Sequence, residues 1–290
     1  MKEFELIRHY FQPLDNPLKS NDGVVLGIGD DCALLQCPPG HVLATSIDTL
    51  VENTHFLPGT DARRLGYKSL AVNLSDLAAM GAEPLWFMLA IALPNNDARW
   101  LAEFADGVAG LARDSGIRLI GGDTTRGPRT ITIQVTGSLP SDVALRRDAA
   151  QVGDDIYISG TLGLGGLGLL VRQHGLDEDE NTRPWLDKLE LPQPQLALGK
   201  ALLGIAHACI DVSDGFLQDL AHILTASQVG ARLDLENMTV PVWEKAFSHL
   251  SPQLVNARGL RDFCLRCGDD YELCFTAPPT QRESIAKISA

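Results

Sequence analysis

The sequence predicts an α+β protein made of two domains. Strand-like and helix-like segments occur in both halves of the chain, but they do not alternate regularly as in a doubly wound sheet. The 290 residues are enough for two ordinary domains. A strand is expected to end near Pro140, and charged residues lead to a new strand after Gly153. The predicted domains are therefore residues 1–145 and 146–290.

The predicted strands are short segments that run apolar or alternate between apolar and polar residues. They are Val24–Ile28, Val42–Ile47, Leu85–Leu93, Thr130–Ser138 and Asp155–Ser159. The segment from Thr130 to Thr136 is the clearest, because its apolar residues fall on one face only.

The predicted helices lie between these strands. They are Asp61–Met80, Asp97–Ser115, Leu164–Gln173, Leu196–Ala206 and Asp214–Ser227. In the first helix Leu70, Leu74 and Leu77 form one apolar stripe, and Gly81 is a suitable residue to end it. The polar, proline-containing stretch Asp177–Pro194 is expected to be a long loop.

Composition and charge favour a cytoplasmic protein that binds small molecules. Hydrophobic residues make up 45% and charged residues 21% of the chain, as in soluble globular proteins. The net charge of −13 disfavours binding to nucleic acid or to an anionic membrane. ATP remains a possible ligand because bound metal ions reverse the local charge. No segment is expected to span a bilayer, and Met1–Glu5 lacks a signal-peptide pattern.

The pair Cys264 and Cys267 has the CxxC spacing of half a zinc site or a redox pair. A second CxxC is absent from the sequence, and this one does not open a helix in a thioredoxin-like unit. Two reduced cysteines in or near a strand are therefore the favoured interpretation.

Aspartates recur in short motifs marked by glycine or serine, each where an apolar run stops or a turn begins. The motifs are Gly29-Asp30-Asp31, Ser46-Ile47-Asp48, Asn73-Leu74-Ser75-Asp76, Gly121-Gly122-Asp123-Thr124 and Asp211-Val212-Ser213-Asp214-Gly215. Carboxylates that gather without matching cations repel each other, and oxygen ligands suit Mg²⁺, which in turn suits phosphates. We therefore expect these aspartates to meet in one cleft and to support metal-bridged nucleotide chemistry.

Each motif also has an ordinary structural interpretation. Gly-Asp-Asp occurs at 29–31, 153–155 and 268–270, so a turn is the default for any one copy. The copy at 153–155 is interpreted as a turn into a strand, whereas the copy at 29–31 stays open between a turn and a ligand site. Asp76 is interpreted either as a metal ligand or as a solvated side chain near the negative end of a helix dipole.

Two further segments pair glycines or a serine with aspartate. After Asp211, either Ser213 or Asp214 is expected to cap the next helix, whose N-terminus also attracts phosphate. Gly121 and Gly122 allow close approach of an anion beside Asp123, the alternative being a wide hairpin loop.

The run Gly163–Gly168 matches the dinucleotide fingerprint GxGxxG. The acidic residue that the fingerprint requires at the end of a second strand would fall in the polar stretch after Asp177. We therefore interpret this run as a tight strand–helix connection.

The motifs form an ordered set that covers nearly the whole chain. The set consists of Gly27–Ala33, Asp48–Val51, His55-Phe56, Ala71–Ala82, Gly121–Gly127, Asp211–Gly215 and Asp270–Leu273. In order and spacing it resembles the bacterial thiamine-monophosphate kinases, of the superfamily that includes aminoimidazole ribonucleotide synthetase and selenophosphate synthetase. The resemblance implies ATP-dependent phosphorylation of thiamine monophosphate to thiamine diphosphate.

The resemblance also implies an architecture and a set of site residues. An N-terminal domain would dimerise through its sheet, and a C-terminal α+β domain would close the ATP cleft. The implied Mg²⁺ ligands are Asp31, Ser46, Asp48, Asp76, Asp123, Asp211 and Asp214. The implied ATP contacts are Gly122, Asp123, Arg147 and Ser213, and the implied substrate contacts are His55 and Asp269. No residue is implied as a catalytic acid or base, since transfer would be metal-assisted.

Departures from the family pattern affect three positions. Ile47 stands where relatives often have Thr beside the metal-binding aspartate, so only its backbone is expected to contribute. Asp269 stands where Glu is common, which shortens a substrate contact. The chain stops at Ala290, before an aromatic residue that the family usually carries, so the C-terminal domain is expected to be truncated relative to the family.

Three other functions are weighed against this one. A synthetase of the same superfamily would share the metal and ATP residues, although the reactive Cys near a glycine-rich N-terminus that is usual in selenophosphate synthetases is missing. A nucleotide sensor without turnover would bind Mg-ATP alone. A dehydrogenase would depend on the run Gly163–Gly168.

Overall fold

The computed structural model describes residues 3–15, 22–176, 178–238 and 257–288. The chain divides into one unit of Met1–Leu77 with Ala82–Ala144 and another of Ala78–Gly81 with Leu145–Ala290. Each unit combines a β-sheet with helices, which confirms the α+β class. No helix of the described residues is long and apolar enough to cross a membrane.

The elements of the described residues are numbered in chain order. The strands are β1 (Val24–Leu26), β2 (Leu34–Leu35), β3 (His41–Val51), β4 (Glu83–Leu93), β5 (Arg118–Arg126), β6 (Thr130–Pro140), β7 (Asp155–Ile158), β8 (Ala208–Val212) and β9 (Glu272–Ala277). The helices are α1 (Glu3–Leu6), α2 (Ala62–Met80), α3 (Ala98–Ser115), α4 (Leu164–Gln173), α5 (Arg183–Glu190), α6 (Leu196–Ala201), α7 (Phe216–Ser227), α8 (Ala257–Arg266) and α9 (Arg282–Ile288). Shorter turns are a π-helical turn at Ile7–Phe11 and 3₁₀ turns at Gln12–Leu14, Leu235–Asn237 and Pro279–Gln281.

The first unit contains a four-stranded sheet in the order β3-β6-β4-β5. β6 pairs antiparallel with β3 and β4, and β5 pairs parallel with β4. The alternative of a hairpin loop at Gly121–Thr124 is wrong, because these residues lie inside β5 and pair with β4. β1 and β2 form a separate two-stranded sheet.

Helix α2 lies against one face of this sheet, which we call the inner face. Ile131, Ile133 and Val135 of β6 are buried, as the alternation in this segment predicts. The predicted stripe Leu70, Leu74 and Leu77 is confirmed as buried. Gly81 ends α2 in the left-handed conformation with φ 71°, which a side chain would strain.

The opposite face of the sheet, here the outer face, exposes apolar side chains. Leu43 and Ile47 of β3 are 46% and 62% exposed, and Met88 of β4 is 41% exposed. Ile47 and Met88 both pair with Gln134 of β6, so they lie in one row across three strands. Exposed apolar patches of this kind mark interaction surfaces.

The second unit contains a three-stranded antiparallel sheet in the order β7-β9-β8. One buried cluster includes Leu167, Ile210 and Leu220. A second cluster includes Leu202 and Phe275. β8 and β9 were not predicted, because every residue in both strands is buried and no polar face reveals their period.

The predicted loop Asp177–Pro194 is wrong, because α5 occupies Arg183–Glu190. Trp185, Leu186 and Leu189 are buried at helical spacing, so packing overrides the polar composition. Pro184 is tolerated in the first turn, where no N–H is needed. The predicted helix Leu196–Ala206 is shorter than expected and ends at Ala201.

Candidate functional site

In the first unit, β3 and α2 bring three of the predicted metal residues together. Ser46 and Asp48 are alternate residues of β3, so they face the same side of the strand. The Ser46 hydroxyl donates a hydrogen bond of 2.5 Å to Oδ2 of Asp76 on α2. Two carboxylates and a hydroxyl therefore meet where the inner face of β3 contacts the helix.

Asn73 fixes the distance between these two elements. Its Oδ1 accepts the Asp48 backbone N–H at 3.1 Å, and its Nδ2 donates to the Ser69 carbonyl at 3.0 Å. The side chain is buried. The sequence-based site did not include Asn73; the available signal was an amide next to the apolar stripe of α2.

Asp48 carries an electrostatic penalty that a cation would relieve. Burial is the largest cause, and the Asp76 carboxylate adds to it, so that the pKa of Asp48 rises from 3.8 to about 6. His55 acts in the opposite direction and lowers this pKa, which places His55 within electrostatic range of Asp48. A predicted substrate contact therefore lies near a predicted metal ligand.

The hydrogen bonding of His55 determines which ring nitrogen faces a ligand. Its Nδ1 accepts the Val51 backbone N–H at 3.1 Å, so the other ring nitrogen, Nε2, is the one left as a hydrogen-bond donor. The side chain is exposed, so this donor is available to a ligand.

Asp123 does not lie in this cluster, because it is on a different strand of the same sheet. β3 and β5 are the two edge strands, roughly 14 Å apart at three strand spacings. Asp123 pairs with Ala90, which pairs with Thr132, whereas Asp48 pairs with Ile133. Thr132 and Ile133 are adjacent residues of β6, so they face opposite sides of the sheet, and their partners on the neighbouring strands do the same. The registers thus place Asp123 and Asp48 on opposite faces of the sheet.

Asp31 and Gly122 also lie outside the Ser46–Asp48–Asp76 cluster. Asp31 is exposed between β1 and β2, where its backbone N–H donates to Asp30 Oδ1 at 2.8 Å. Gly122 is beside Asp123 in β5, and a Cβ there would lie 1.9 Å from the Leu89 carbonyl oxygen. Only glycine fits at that distance.

No closed metal centre occurs among the described residues. Within them, no group of three or more His, Cys, Asp and Glu side chains could hold a metal ion. The pair Asp48 and Asp76 fits Mg²⁺ nonetheless, because this ion is usually held by one or two carboxylates together with water and substrate phosphates.

In the second unit, Asp211, Ser213 and Asp214 lie at the end of β8 and in the following turn. The expectation that Ser213 or Asp214 caps α7 is wrong. Instead, Oδ2 of Asp219 accepts the backbone N–H groups of Ser213, Asp214 and Gly215, each at 3.1 Å. The three N–H groups that precede α7 are therefore bound by a carboxylate of the protein itself.

The segment Gly268–Tyr271 lies beside this turn. The Asp269 N–H donates to the Ser213 carbonyl at 2.9 Å, and the Tyr271 N–H donates to Val212 at 2.8 Å. A predicted substrate contact is thereby placed next to a predicted ATP contact. Asp269 and Tyr271 have φ values of 64° and 49°, a left-handed conformation that costs non-glycine residues energy and clusters at functional sites.

Asp270 explains the glycine-rich run before α4. Its carboxylate accepts the backbone N–H groups of Gly163 at 2.7 Å and Gly165 at 3.1 Å. The run connects β7 to α4, which confirms the strand–helix interpretation. The Asp270 carboxylate thus occupies backbone N–H donors that a dinucleotide would use.

A buried network joins Glu272 to two neighbouring elements. Its carboxylate binds Lys188 of α5 and the hydroxyl of Ser159, and the Leu273 N–H donates to Ser159 Oγ at 2.9 Å. The sequence pattern does not reveal Lys188, because the polar composition of its segment predicts a loop.

Arg147 is exposed beside an arginine that is already paired. Arg146 binds Asp148 through both oxygens, at 2.8 and 2.6 Å. Arg147 forms no ion pair within the part of the chain that the structure describes, whereas its carbonyl accepts from Ser227 at 2.8 Å. Its guanidinium is therefore available to an anionic ligand.

The remaining motifs are structural. The turn at Gly153–Asp155 is confirmed, with Asp154 bound to His207 and Asp155 bound to Arg282.

Cys264 lies in α8 and Cys267 just after it, so their placement in or near a strand was wrong. Burial raises the pKa of the Cys264 thiol to about 12 and also raises that of Cys267, so both thiols stay protonated at neutral pH.

Comparisons with known proteins show which class of protein this chain belongs to. The model of the AIR synthase related protein N-terminal domain matches residues 29–139, and that of the C-terminal domain matches residues 151–282. The chain is thus a two-domain protein of the AIR synthase related class. It is 46% identical over 285 residues to thiamine-monophosphate kinase of Escherichia coli (strain K12), covering 98% of this chain and 85% of that protein.

Solved structures agree with this assignment. The crystal structure of thiamine-monophosphate kinase from Stenotrophomonas maltophilia K279a is 42% identical with a TM-score of 0.86, covering 96% of this chain and 88% of that chain. AaThiL complexed with AMPPCP and TMP shares the fold, with 24% identity and a TM-score of 0.77 over 98% of this chain and 87% of that chain. The chain belongs to the thiamine-monophosphate kinase family, which confirms the resemblance in its motifs.

The pKa of Asp270 predicts how stability depends on pH. Burial is the main cause that raises it from 3.8 to about 6. The folded state therefore binds more protons than the unfolded state between pH 4 and 6. The free energy of unfolding should fall as pH rises through this range, by at most about 1.4 kcal/mol per pH unit. Asp270→Asn should flatten that decrease in urea unfolding without Mg²⁺ or nucleotide.

Asp262→Asn is the matched control, because Asp262 is exposed on the neighbouring helix α8. It should keep the pH dependence of the unchanged chain. If the free energy of unfolding depends on pH equally in Asp270→Asn and in the unchanged chain, Asp270 is not the source of this pH dependence.

Proposed function

We propose that this chain phosphorylates thiamine monophosphate to thiamine diphosphate with ATP, by direct in-line transfer assisted by Mg²⁺. The observation that carries the proposal is 46% identity to the E. coli thiamine-monophosphate kinase across 98% of this chain. The clustering of Ser46, Asp48 and Asp76 supports it independently of that comparison.

Charge determines what such a site must do. The acceptor is a phosphate whose second pKa near ~6 leaves it mostly dianionic at neutral pH, so it needs no general base. Two like unit charges at ~4 Å repel by about 4 kcal/mol at an effective dielectric constant of 20. When bound, Mg²⁺ supplies charge neutralisation and orients the phosphates. No covalent enzyme intermediate is needed.

Two groups of residues would hold the ions. Ser46, Asp48 and Asp76 form the first group, and the raised pKa of the Asp48 carboxyl reflects a cost that cation binding would remove. Asp123 would serve a different ion, since it lies on the other edge strand of the sheet. Asp31, Asp211 and Asp214 stay proposed ligands on the strength of their motifs. Ile47 points away from Asp48, so its side chain takes no part.

The nucleotide and acceptor contacts are proposed residue by residue. Gly122 and Asp123 would contact ATP from β5, and Ser213 from the turn before α7. Arg147 would clamp a phosphate, because its guanidinium has no protein carboxylate to bind in the described residues. His55 would donate Nε2–H to the acceptor phosphate, and Asp269 would contact the acceptor from its left-handed turn.

We also propose a homodimer formed through the outer face of the first unit's sheet. Leu43, Ile47 and Met88 leave an apolar surface there that a second copy would bury. Residues 1–145 would carry metal binding and dimerisation, and residues 146–290 would close the ATP cleft. A cytoplasmic location is proposed as well, since all six cysteines are free thiols.

The reaction is tested by ADP formation with a panel of acceptors. Thiamine monophosphate should give ADP and thiamine diphosphate, whereas thiamine and aminoimidazole precursors should give neither product. Asp76→Asn should lower the rate by at least ~10²-fold, the scale at which loss of one group that stabilises transition-state charge acts. Its melting temperature should change little, since one of two repelling carboxylates is removed.

Asp106→Asn in the same unit is the control, because Asp106 is half exposed and pairs only with exposed Arg63 among the described contacts. It should retain full activity. Turnover of another acceptor in place of thiamine monophosphate, or near-normal activity of Asp76→Asn in saturating Mg²⁺, would reject the proposal.

Substitutions of His55 test its role as a hydrogen-bond donor through Nε2. Gln places its amide N–H near the position of Nε2, whereas Asn places its amide near Nδ1. His55→Gln should therefore keep KM for thiamine monophosphate within a few-fold. His55→Asn and His55→Ala should raise it by about tenfold or more, the cost of one hydrogen bond to a charged group. Steady-state kinetics with saturating ATP measure this, and an equal KM for all three variants would rule the role out.

The dimer is tested by a charge on the outer face. Met88→Lys should give a monomer in sedimentation velocity, because a buried unpaired cation opposes association. Val152→Lys is the control, as Val152 is 93% exposed in the second unit and should leave the dimer intact. An unchanged chain that sediments as a monomer, or a dimeric Met88→Lys, would exclude this interface.

A further inference from the structure

We propose that Asp219 is a positioning residue that holds the turn from Asp211 to Gly215 in the shape that presents Ser213 and Asp214 to Mg-ATP. The role rests on the proposed function, because it presumes that these two side chains contact the nucleotide and its metal. Asp219 is only 3% exposed, so it acts through the turn and does not touch the ligand itself.

The geometry of the turn depends on one oxygen atom. Oδ2 of Asp219 accepts the N–H groups of Ser213, Asp214 and Gly215, each at 3.1 Å. Successive N–H groups that converge in this way form an anion-binding nest. Here the anion is part of the protein, one turn into α7. The shape of the turn is therefore set before any ligand arrives.

This arrangement frees the side chains of the turn for a ligand. A Ser or Asp at the N-terminus of a helix normally uses its side chain to cap the helix. Because Asp219 caps from inside α7, Ser213 makes no side-chain hydrogen bond within the described residues. The exposed Asp214 accepts only a bond of 3.2 Å from Gln218 among its described side-chain contacts.

The other side of the turn is fixed by the backbone of Gly268–Tyr271. The Asp269 N–H donates to Ser213 and the Tyr271 N–H to Val212. A Cβ on Gly268 would lie 2.2 Å from the Ser213 carbonyl oxygen, so the two segments are in close contact. The backbone of Gly268–Tyr271 therefore holds the turn on that side, and the hydrogen bonds to Asp219 hold it on the other side.

Nucleotide affinity is the quantity that distinguishes a positioning role from a structural one. Asp219→Ala should weaken binding of Mg-AMPPCP by about tenfold or more, the effect of losing a group that orients a ligand-binding residue. Asp219→Asn keeps the shape and one neutral acceptor, so its loss should be smaller than that of Asp219→Ala. Calorimetric titration measures both, and KM for ATP should rise in the same order.

Asp154→Asn is the matched control. Asp154 belongs to the same unit and its side chain is 5% exposed; it accepts the Gln151 N–H at 2.9 Å and binds His207 at 2.9 Å. Its replacement should lower the melting temperature about as much as Asp219→Asn does and leave nucleotide affinity unchanged. This comparison separates a loss of stability from a loss of positioning.

The results overturn the proposal in defined ways. Asp219→Ala with the affinity of the unchanged chain would exclude the role, as would an equal loss of affinity in Asp154→Asn. If the unchanged chain binds Mg-AMPPCP but does not phosphorylate thiamine monophosphate, the proposed function fails while the role of Asp219 is still decided by the titration. An unchanged chain that binds no Mg-AMPPCP would overturn both.

Discussion

The repulsion between Asp48 and Asp76 is the constraint on which the first unit's site depends. β3 and α2 hold these carboxylates together through the Ser46 and Asn73 hydrogen bonds, although burial and mutual repulsion raise the pKa of Asp48. An arrangement that opposes stability is retained where function requires it. A bound divalent cation would reverse the sign of the interaction, and the same cation would allow two phosphates to approach each other.

The second unit uses carboxylates in a different way. Asp219 and Asp270 each occupy backbone N–H donors before a helix, where a phosphate would otherwise bind. These internal anions fix the turns that carry Ser213 and Asp269. The two units thus contain aspartates of two kinds, some poised for a cation and some bound to the protein's own N–H groups. The motif patterns alone do not separate the two kinds.

How far the sequence predicts the fold depends on whether an element has a polar face. α3 and β6 match their predictions closely because burial follows the helical period of 3.6 in α3 and the strand period of 2 in β6. β8 and β9 are buried on both sides and show no period. The motifs predict Ser46, Asp48 and Asp76 as ligands, and these side chains do lie close together. The motifs could not show that Asp123 lies on the opposite edge strand, because strand order is set by long-range pairing.

The position of a bound cation tests the account most directly. Crystals grown with Mn²⁺ and a non-hydrolysable ATP analogue can be examined by anomalous diffraction, which locates the metal without reference to activity. We expect an anomalous peak within coordination distance, about 2 Å, of a carboxylate oxygen of Asp48 or Asp76. A structure with the nucleotide bound and no metal at either carboxylate would contradict the account.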